Sequence, residues 1–278
     1  MTAIVRSLLA VAIVAAAGTA LATANAVTAP RRVLTVCADP NNLPFSNRAG
    51  EGFENRIATL LAKEMNADIN YVWWAQRRGY VRNTLTEAKC DIWPGVASGV
   101  DMVTTTKPYY RSTYVFVTRA DKPLSGLSFD DARLKRAKVG VQMVGADASN
   151  TPPAHALARR GIIDNVRGFM LYGDYAKPNP PAAIIDAVAS GEIDVAVVWG
   201  PLGGYFAAKS PVELRVEPVT PQLDGASWPM TYDISMGVRR NTPAVQSEVE
   251  TILAKQAGEV AAILAEYHVP RVAGAGTQ

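Results

Sequence analysis

Arg32-Val33-Leu34-Thr35-Val36-Cys37-Ala38 is a nearly unbroken apolar run, and Asp39-Pro40-Asn41-Asn42-Leu43-Pro44-Phe45-Ser46-Asn47 follows it directly. The first stretch has the pattern of a strand buried on both faces of a parallel sheet. The second is dense in turn formers and reads as a loop. From Gly52 to Asn66, Phe53, Ile57, Leu60, Leu61 and Met65 recur at helical spacing. Ile69 to Trp74 reads as a second strand, Arg78 to Ala88 as a short helix, and Asp91 to Val96 as a third strand. Strand-helix-strand-helix-strand order implies a parallel sheet with right-handed crossovers.

A second unit begins after Tyr114 to Thr118, an extended connector. Lys138 to Gln142 is a strand, followed by a turn and a helix near Pro153 to Arg160. Gly168 to Tyr172 is a weaker strand. Pro180 to Ser190 is a helix that Gly191 stops. Asp194 to Trp199 is a further buried strand, after which Pro-rich loops lead to a strand at Tyr232 to Arg239. Thr242-Pro243 opens a final helix whose apolar stripe runs from Val245 to Leu264, and Ala273 to Gln278 read as a frayed tail. Two α/β units joined by extended connectors describe two lobes with a hinge. Residues 27–116 and 233–278 form lobe 1, and residues 117–232 form lobe 2. Open α/β sheets bind ligands beyond the carboxyl ends of their strands, which places the site in the cleft between the lobes.

Residues 1–26 read as a secretory signal. Arg6 is the basic start, Leu8 to Ala22 the apolar stretch, and Ala24-Asn25-Ala26 the cleavage site, so the mature chain begins near Val27. The apolar run is short for a membrane anchor, and no Cys follows the cleavage site to carry a lipid. The whole chain has 28 Lys and Arg against 25 Asp and Glu. That balance argues against nucleic acid or an anionic membrane as partner.

Several segments resemble family 3 solute-binding proteins of the periplasm. Lys107-Pro108-Tyr109-Tyr110-Arg111-Ser112-Thr113-Tyr114-Val115-Phe116-Val117 resembles their lobe-crossing segment. Leu127 to Asp131 leading into Lys138 to Gln142 resembles their start of lobe 2, and Ala187 to Val198 their helix, glycine, acid and strand. Lobe 1 is more specific. Val36 to Asn47, Gly50 to Asn55, Trp73-Trp74-Ala75-Gln76-Arg77-Arg78-Gly79 and Cys90-Asp91-Ile92-Trp93-Pro94-Gly95-Val96 resemble the methanol-oxidation J proteins, of MxaJ and XoxJ type. The resemblance implies the type II periplasmic binding protein fold. It also implies a periplasmic accessory of a dehydrogenase that uses pyrroloquinoline quinone (PQQ), of the lanthanide or the calcium type.

Amino-acid binders of this fold clamp the ligand carboxylate with an Arg after the third lobe 1 strand and pair its ammonium with an Asp ending a lobe 2 strand. Here those positions fall near Met102 and on Trp199, so both charges are missing. Loss of either member of a desolvated charge pair costs roughly 2–5 kcal/mol of binding. Aromatic residues stand nearby. Phe45, Tyr109, Tyr110 and Trp199 are expected to face the cleft. Of Trp73 and Trp74 one faces the core, because a strand alternates, and Trp93 reads as packing. Gln76-Arg77-Arg78 is either a solvated helix start or a carboxylate-binding or partner-docking patch. Asp39, Asn41 and Asn42 are either turn chemistry or ligand contacts. Trp74, Gly95, Arg111 and Gln142 complete the candidate cleft residues.

Enzyme readings have little material. His155 and His268 are the only histidines, and no nucleophile elbow, zinc motif or phosphate loop is present. No metal and no cofactor is expected. A carboxylate-based dehydratase remains the one enzyme reading, since a few proteins of this fold are such enzymes. The other competing reading is the solute receptor of an ABC importer for a small organic molecule. Cys37 and Cys90 are expected to be free thiols: in parallel neighbours they would stand about 10 Å apart along the strand direction, beyond the ~7 Å reach of a disulfide.

Overall fold

Parallel pairing starts where the apolar runs predict it. In the computed structural model, which describes residues 31–144, 149–171 and 175–273, Arg32–Ala38 (β1) pairs in register with Ala67–Trp73 (β2) from Arg32↔Ala67 to Ala38↔Trp73. The expected export signal and mature start lie outside the described residues, as do Tyr172 and most of the tail. Phe53–Glu64 (α1) connects these strands. Its Asn55 reaches back to accept from Gly52 N at 3.1 Å, so one of the orphan amides of the first turn is satisfied. Phe53, Ile57, Ala58 and Leu61 are fully buried along one stripe, and each of the larger three contributes roughly 1.5–3 kcal/mol of hydrophobic stabilisation.

The helix expected over residues 78–88 is reduced to Tyr80–Asn83 (α2). Asn83 Nδ2 donates to the Gly79 carbonyl at 2.8 Å and Thr84 Oγ1 to the Tyr80 carbonyl at 2.6 Å. Such side-chain bonds occupy the backbone acceptors that a longer helix would use. Ile92–Ala97 (β3) pairs parallel with β1 at Val36↔Ile92. Cys90 precedes this strand and is not held to its register. Its Cα stands 5.6 Å from that of Cys37, and the two form a disulfide. The expectation of free thiols is thus overturned, because it extended the rise of β3 to a residue lying outside it.

Tyr110–Arg119 (β4) is longer than the expected connector and serves two halves of one sheet. Its first part pairs with Thr231–Val238 (β9), from Tyr110↔Ile234 to Thr113↔Thr231. Its second part pairs antiparallel with Val195–Trp199 (β7) and Leu214–Pro218 (β8). Val139–Val144 (β5) pairs parallel with both Val166–Met170 (β6) and β7. The resulting strand order is β6-β5-β7-β4-β9-β3-β1-β2, with β8 attached to β4. Pro152–Arg159 (α3), Ala183–Ser190 (α4) and Gly200–Ala208 (α5) serve the β5-β8 half.

Neither α5 nor β8 is expected from sequence. The run Gly200-Pro-Leu-Gly-Gly-Tyr-Phe looks like a loop, since glycine costs roughly 1 kcal/mol in a helix interior. The glycines serve close packing instead: a Cβ on Gly203 would lie 2.7 Å from Val115 Cγ2, and one on Gly204 2.0 Å from the His268 carbonyl oxygen. The final helix is two, Pro243–Lys255 (α6) and Ala257–Glu266 (α7), and both pack on α1. The chain end therefore completes the half that the chain start began. This mixed α/β, two-lobed architecture is the type II periplasmic binding protein fold.

Candidate functional site

The parallel strands of each half end at loops that face one another. On one side, Asp39 closes β1. It is buried, and it accepts from Gln76 N at 2.7 Å and Asn41 N at 2.9 Å. Ser46 Oγ accepts from Asp39 N at 3.1 Å and donates to the Asp39 carbonyl at 2.8 Å. Asn42 Nδ2 donates to Gln76 Oε1 at 3.0 Å. The Asn41 bond is the local turn contact, and the Gln76 bond ties the loop after β1 to the loop after β2. Asp39 also reaches across the cleft. Tyr175, from the opposite half, places its hydroxyl 3.4 Å from both Asp39 oxygens, and Asn41 Nδ2 donates to the Lys177 carbonyl at 2.9 Å. Asn41 and Asp39 are therefore contacts between the halves, a role the turn reading does not contain.

Behind Asp39 lies a second carboxyl that sequence reasoning passes over. Glu54, in the first turn of α1, is 4 % exposed. Gly95 adopts φ +77° beside it, and a Cβ there would lie 1.8 Å from Glu54 Oε1. Glycine at 95 thus makes room for the carboxyl as well as permitting the left-handed backbone. Burial, with the Asp39 charge adding to it, pushes the Glu54 carboxyl up to about 8. At neutral pH Glu54 is mostly a neutral acid, able to donate. Burial also raises Asp39, against the lowering bonds from Gln76 and Asn41. Around Glu54 stand Tyr80 and Tyr109, whose phenols burial pushes well above the ordinary tyrosine range. The Tyr80 hydroxyl lies toward Gln76 and the Tyr109 hydroxyl toward the Gly95 backbone, and among the described residues Trp93 Nε1 and Asn42 Oδ1 are buried without a hydrogen-bond partner. Glu54 and these groups form a buried polar nest among aromatic rings.

The remaining candidates divide. Phe45 is half-buried and packs on Phe53 at 5.4 Å between ring centres. Trp74 is 39 % exposed at the cleft rim, with Lys89 Nζ 5.8 Å from its ring centre, whereas Trp73 stacks on Tyr71 at 4.6 Å. Arg77 and Arg78 are exposed. Four candidates are held in contacts within the protein. Tyr110 lies in the core, edge-on to Phe53 at 6.1 Å, because its place on β4 turns it toward α1. Arg111 bridges Asp233 at 3.1 Å and donates to Thr231 at 3.1 Å, a clamp between β4 and β9. Trp199 packs between Tyr114 (5.3 Å) and Tyr232 (5.9 Å), both on the strands that cross between the halves. Gln142 is buried, and its Oε1 accepts from Trp199 N at 3.1 Å, bracing the ends of β5 and β7.

Tyr175 carries no sequence signal, since a tyrosine in a Gly/Asp/Lys/Pro loop belongs to no apolar periodicity. Glu54 has a faint one: an acid directly inside a helix start, where the macrodipole favours it. Among the described residues, no group of three or more His, Cys, Asp or Glu is arranged to hold a metal. His155 stacks on Trp228 at 4.2 Å, away from the Asp39 loop. The arrangement supports binding by hydrogen bonds and aromatic contact.

No family model matches the chain. Individual proteins do. The chain is 36 % identical over 248 residues to Protein MoxJ of Methylorubrum extorquens strain AM1, covering 85 % of this chain and 81 % of that protein. It is 31 % identical over 270 residues to Protein MoxJ of Paracoccus denitrificans, covering 92 % and 95 %. Among solved structures, the periplasmic binding protein XoxJ of Methylobacterium extorquens AM1 is 34 % identical with a TM-score of 0.70, covering 87 % of this chain and 100 % of that one. MxaJ of Methylophaga aminisulfidivorans MPT is 26 % identical with a TM-score of 0.75, covering 86 % and 100 %. An ancestral cationic amino-acid binding protein, at 20 % identity and a TM-score of 0.65, shares the fold. With this degree of identity along nearly the whole described chain, the protein belongs to the MoxJ family of periplasmic binding proteins, with MxaJ and XoxJ.

Proposed function

We propose that this protein is a periplasmic accessory of a PQQ-dependent alcohol dehydrogenase, which it assists by binding a segment of that enzyme in the interlobe cleft. One observation supports the reading beyond family membership: at the position expected for the aspartate of amino-acid receptors stands Trp199, packed into the crossing strands. The Asp39 loop and the half-buried Phe45 leave hydrogen-bonding and aromatic surface suited to a peptide. The partner is a dehydrogenase of lanthanide or calcium type, and the protein does no chemistry of its own. Residues 1–26 export it, and the lobes divide at 116/117 and 232/233, so that β4 and β9 form the hinge.

Deleting the gene is expected to lower PQQ-dependent dehydrogenase activity in periplasmic extracts, with restoration by the wild-type gene. Undiminished activity overturns the reading. The importer reading predicts instead a metabolite that raises the melting temperature strongly, because ligand held only by the native state stabilises it by mass action. The protein recovered from periplasm is expected to begin at Val27.

A further inference from the structure

Arg77, Arg78 and Arg82 line a cavity of about 850 Å³ beside the cleft, between α2 and the loop after β3. Its floor is apolar: Tyr80, Trp93, Val100 and Met102 line it. A second cavity of about 450 Å³ continues from it, sharing Val81, Arg82 and Met102 and ending at Arg239 and Arg240. Together they make one groove along the α2 side of the β1-β3 half. Arg77, Arg78, Arg82 and Arg240 are exposed. Among the described residues, neither Arg78 nor Arg82 has a carboxylate in ion-pair reach, whereas Arg239 meets Asp91 at 3.4 Å. Arg240 is held on the Asp101 carbonyl.

We propose that this groove docks an acidic segment of a partner protein whose large apolar side chains seat against Met102 and Trp93. Two features of the groove define the occupant. An apolar floor with an exposed methionine suits side-chain anchors, and methionine adapts its shape to them. An arginine rim short of counter-charges suits carboxylates, which guanidinium groups grip in a bidentate manner. The groove is also rigid. The Cys37–Cys90 disulfide lies in the cluster of Tyr80, Val81 and Leu85 beneath it, so little ordering is lost on docking. Two joined cavities exceed one small ligand and match a short peptide. The inference does not depend on what occupies the cleft.

The test is fluorescence anisotropy of a labelled twelve-residue peptide with glutamates and leucines at helical spacing, titrated with the full chain. The peptide is expected to bind at least about ten-fold more tightly than its lysine-for-glutamate counterpart. The double variant Arg78→Glu, Arg82→Glu is expected to weaken binding about ten-fold or more and Met102→Asp about five-fold, with unchanged melting temperatures. Asn41→Ala, in the cleft, leaves the affinity unchanged. No binding of the acidic peptide overturns the proposal. So does equal binding of the basic one, loss with Asn41→Ala, or insensitivity to Met102→Asp, which would mean charge attraction alone.

Discussion

Replacing Glu54 by Gln tests the buried nest through stability alone. The Glu54 carboxyl is raised from 4.5 to about 8 by burial and by Asp39. An acid whose pKa rises on folding holds its proton in the native state while the unfolded chain has already lost it. Stability from this group is therefore greatest at low pH and falls as pH climbs from 4.5 toward 8. At 1.36 kcal/mol per tenfold change in proton affinity, wild type loses roughly 3–4 kcal/mol between pH 5 and pH 8 relative to a chain with no titrating group there. Glutamine has nearly the same shape and does not ionise. Urea unfolding of both proteins at pH 5, 6, 7 and 8, followed by circular dichroism, should show Glu54→Gln gaining on wild type steadily across that range. Asp39 is raised by burial in both proteins, and its coupling to Glu54 enters the difference only where Glu54 itself ionises, at the upper end of the range. A stability difference that stays constant from pH 5 to pH 8 would refute the reasoning, since Glu54 would then be ionised or hydrated in the native state.

Gly95→Ala should destabilise by about 3 kcal/mol, from left-handed backbone and crowding together; its Cβ would sit 1.8 Å from Glu54 Oε1, so the loss should shrink in a Glu54→Ala background. Reducing Cys37–Cys90, which spans 53 residues, should cost about 2–5 kcal/mol, seen as a lower melting temperature in dithiothreitol; alkylation without reduction should label neither cysteine. Combining Asn41→Ala with Tyr175→Phe removes the two described hydrogen-bond contacts from the Asp39 loop across the cleft, worth about 1–2 kcal/mol together. X-ray scattering should then report a larger radius of gyration, and an unchanged value would mean that other contacts hold the halves together.

What the sequence discloses and what it hides follow from range. The strands β1, β5 and β7 are apolar runs, legible within a few residues, and Gly191 ends α4 as its type suggests, in the left-handed conformation. α5 was hidden because its glycines answer to Val115 and to His268, contacts made far along the chain. The same holds at the site. Asp39, Asn41 and Gln76 were legible as loop residues that follow strands. Glu54 was not, because its importance comes from Gly95, and Tyr175 was not, because its partner Asp39 is 136 residues away. Arg111 follows two tyrosines in the crossing segment, and only the strand pairing shows Asp233 opposite it.

The position of β9 also orders the assembly of the molecule. It lies between β3 and β4, so the sheet begun by residue 32 stays split until residues 231–238 are inserted antiparallel into the gap. The β5-β8 half, by contrast, is finished by one uninterrupted stretch ending at Pro218. A growing or emerging chain therefore completes its second half first. Its first half waits as an open edge that the chain end must close, stapled meanwhile by a disulfide whose two cysteines both lie within the first 90 residues. Loss of the C-terminal helices would leave the start of the chain unfinished and the middle whole.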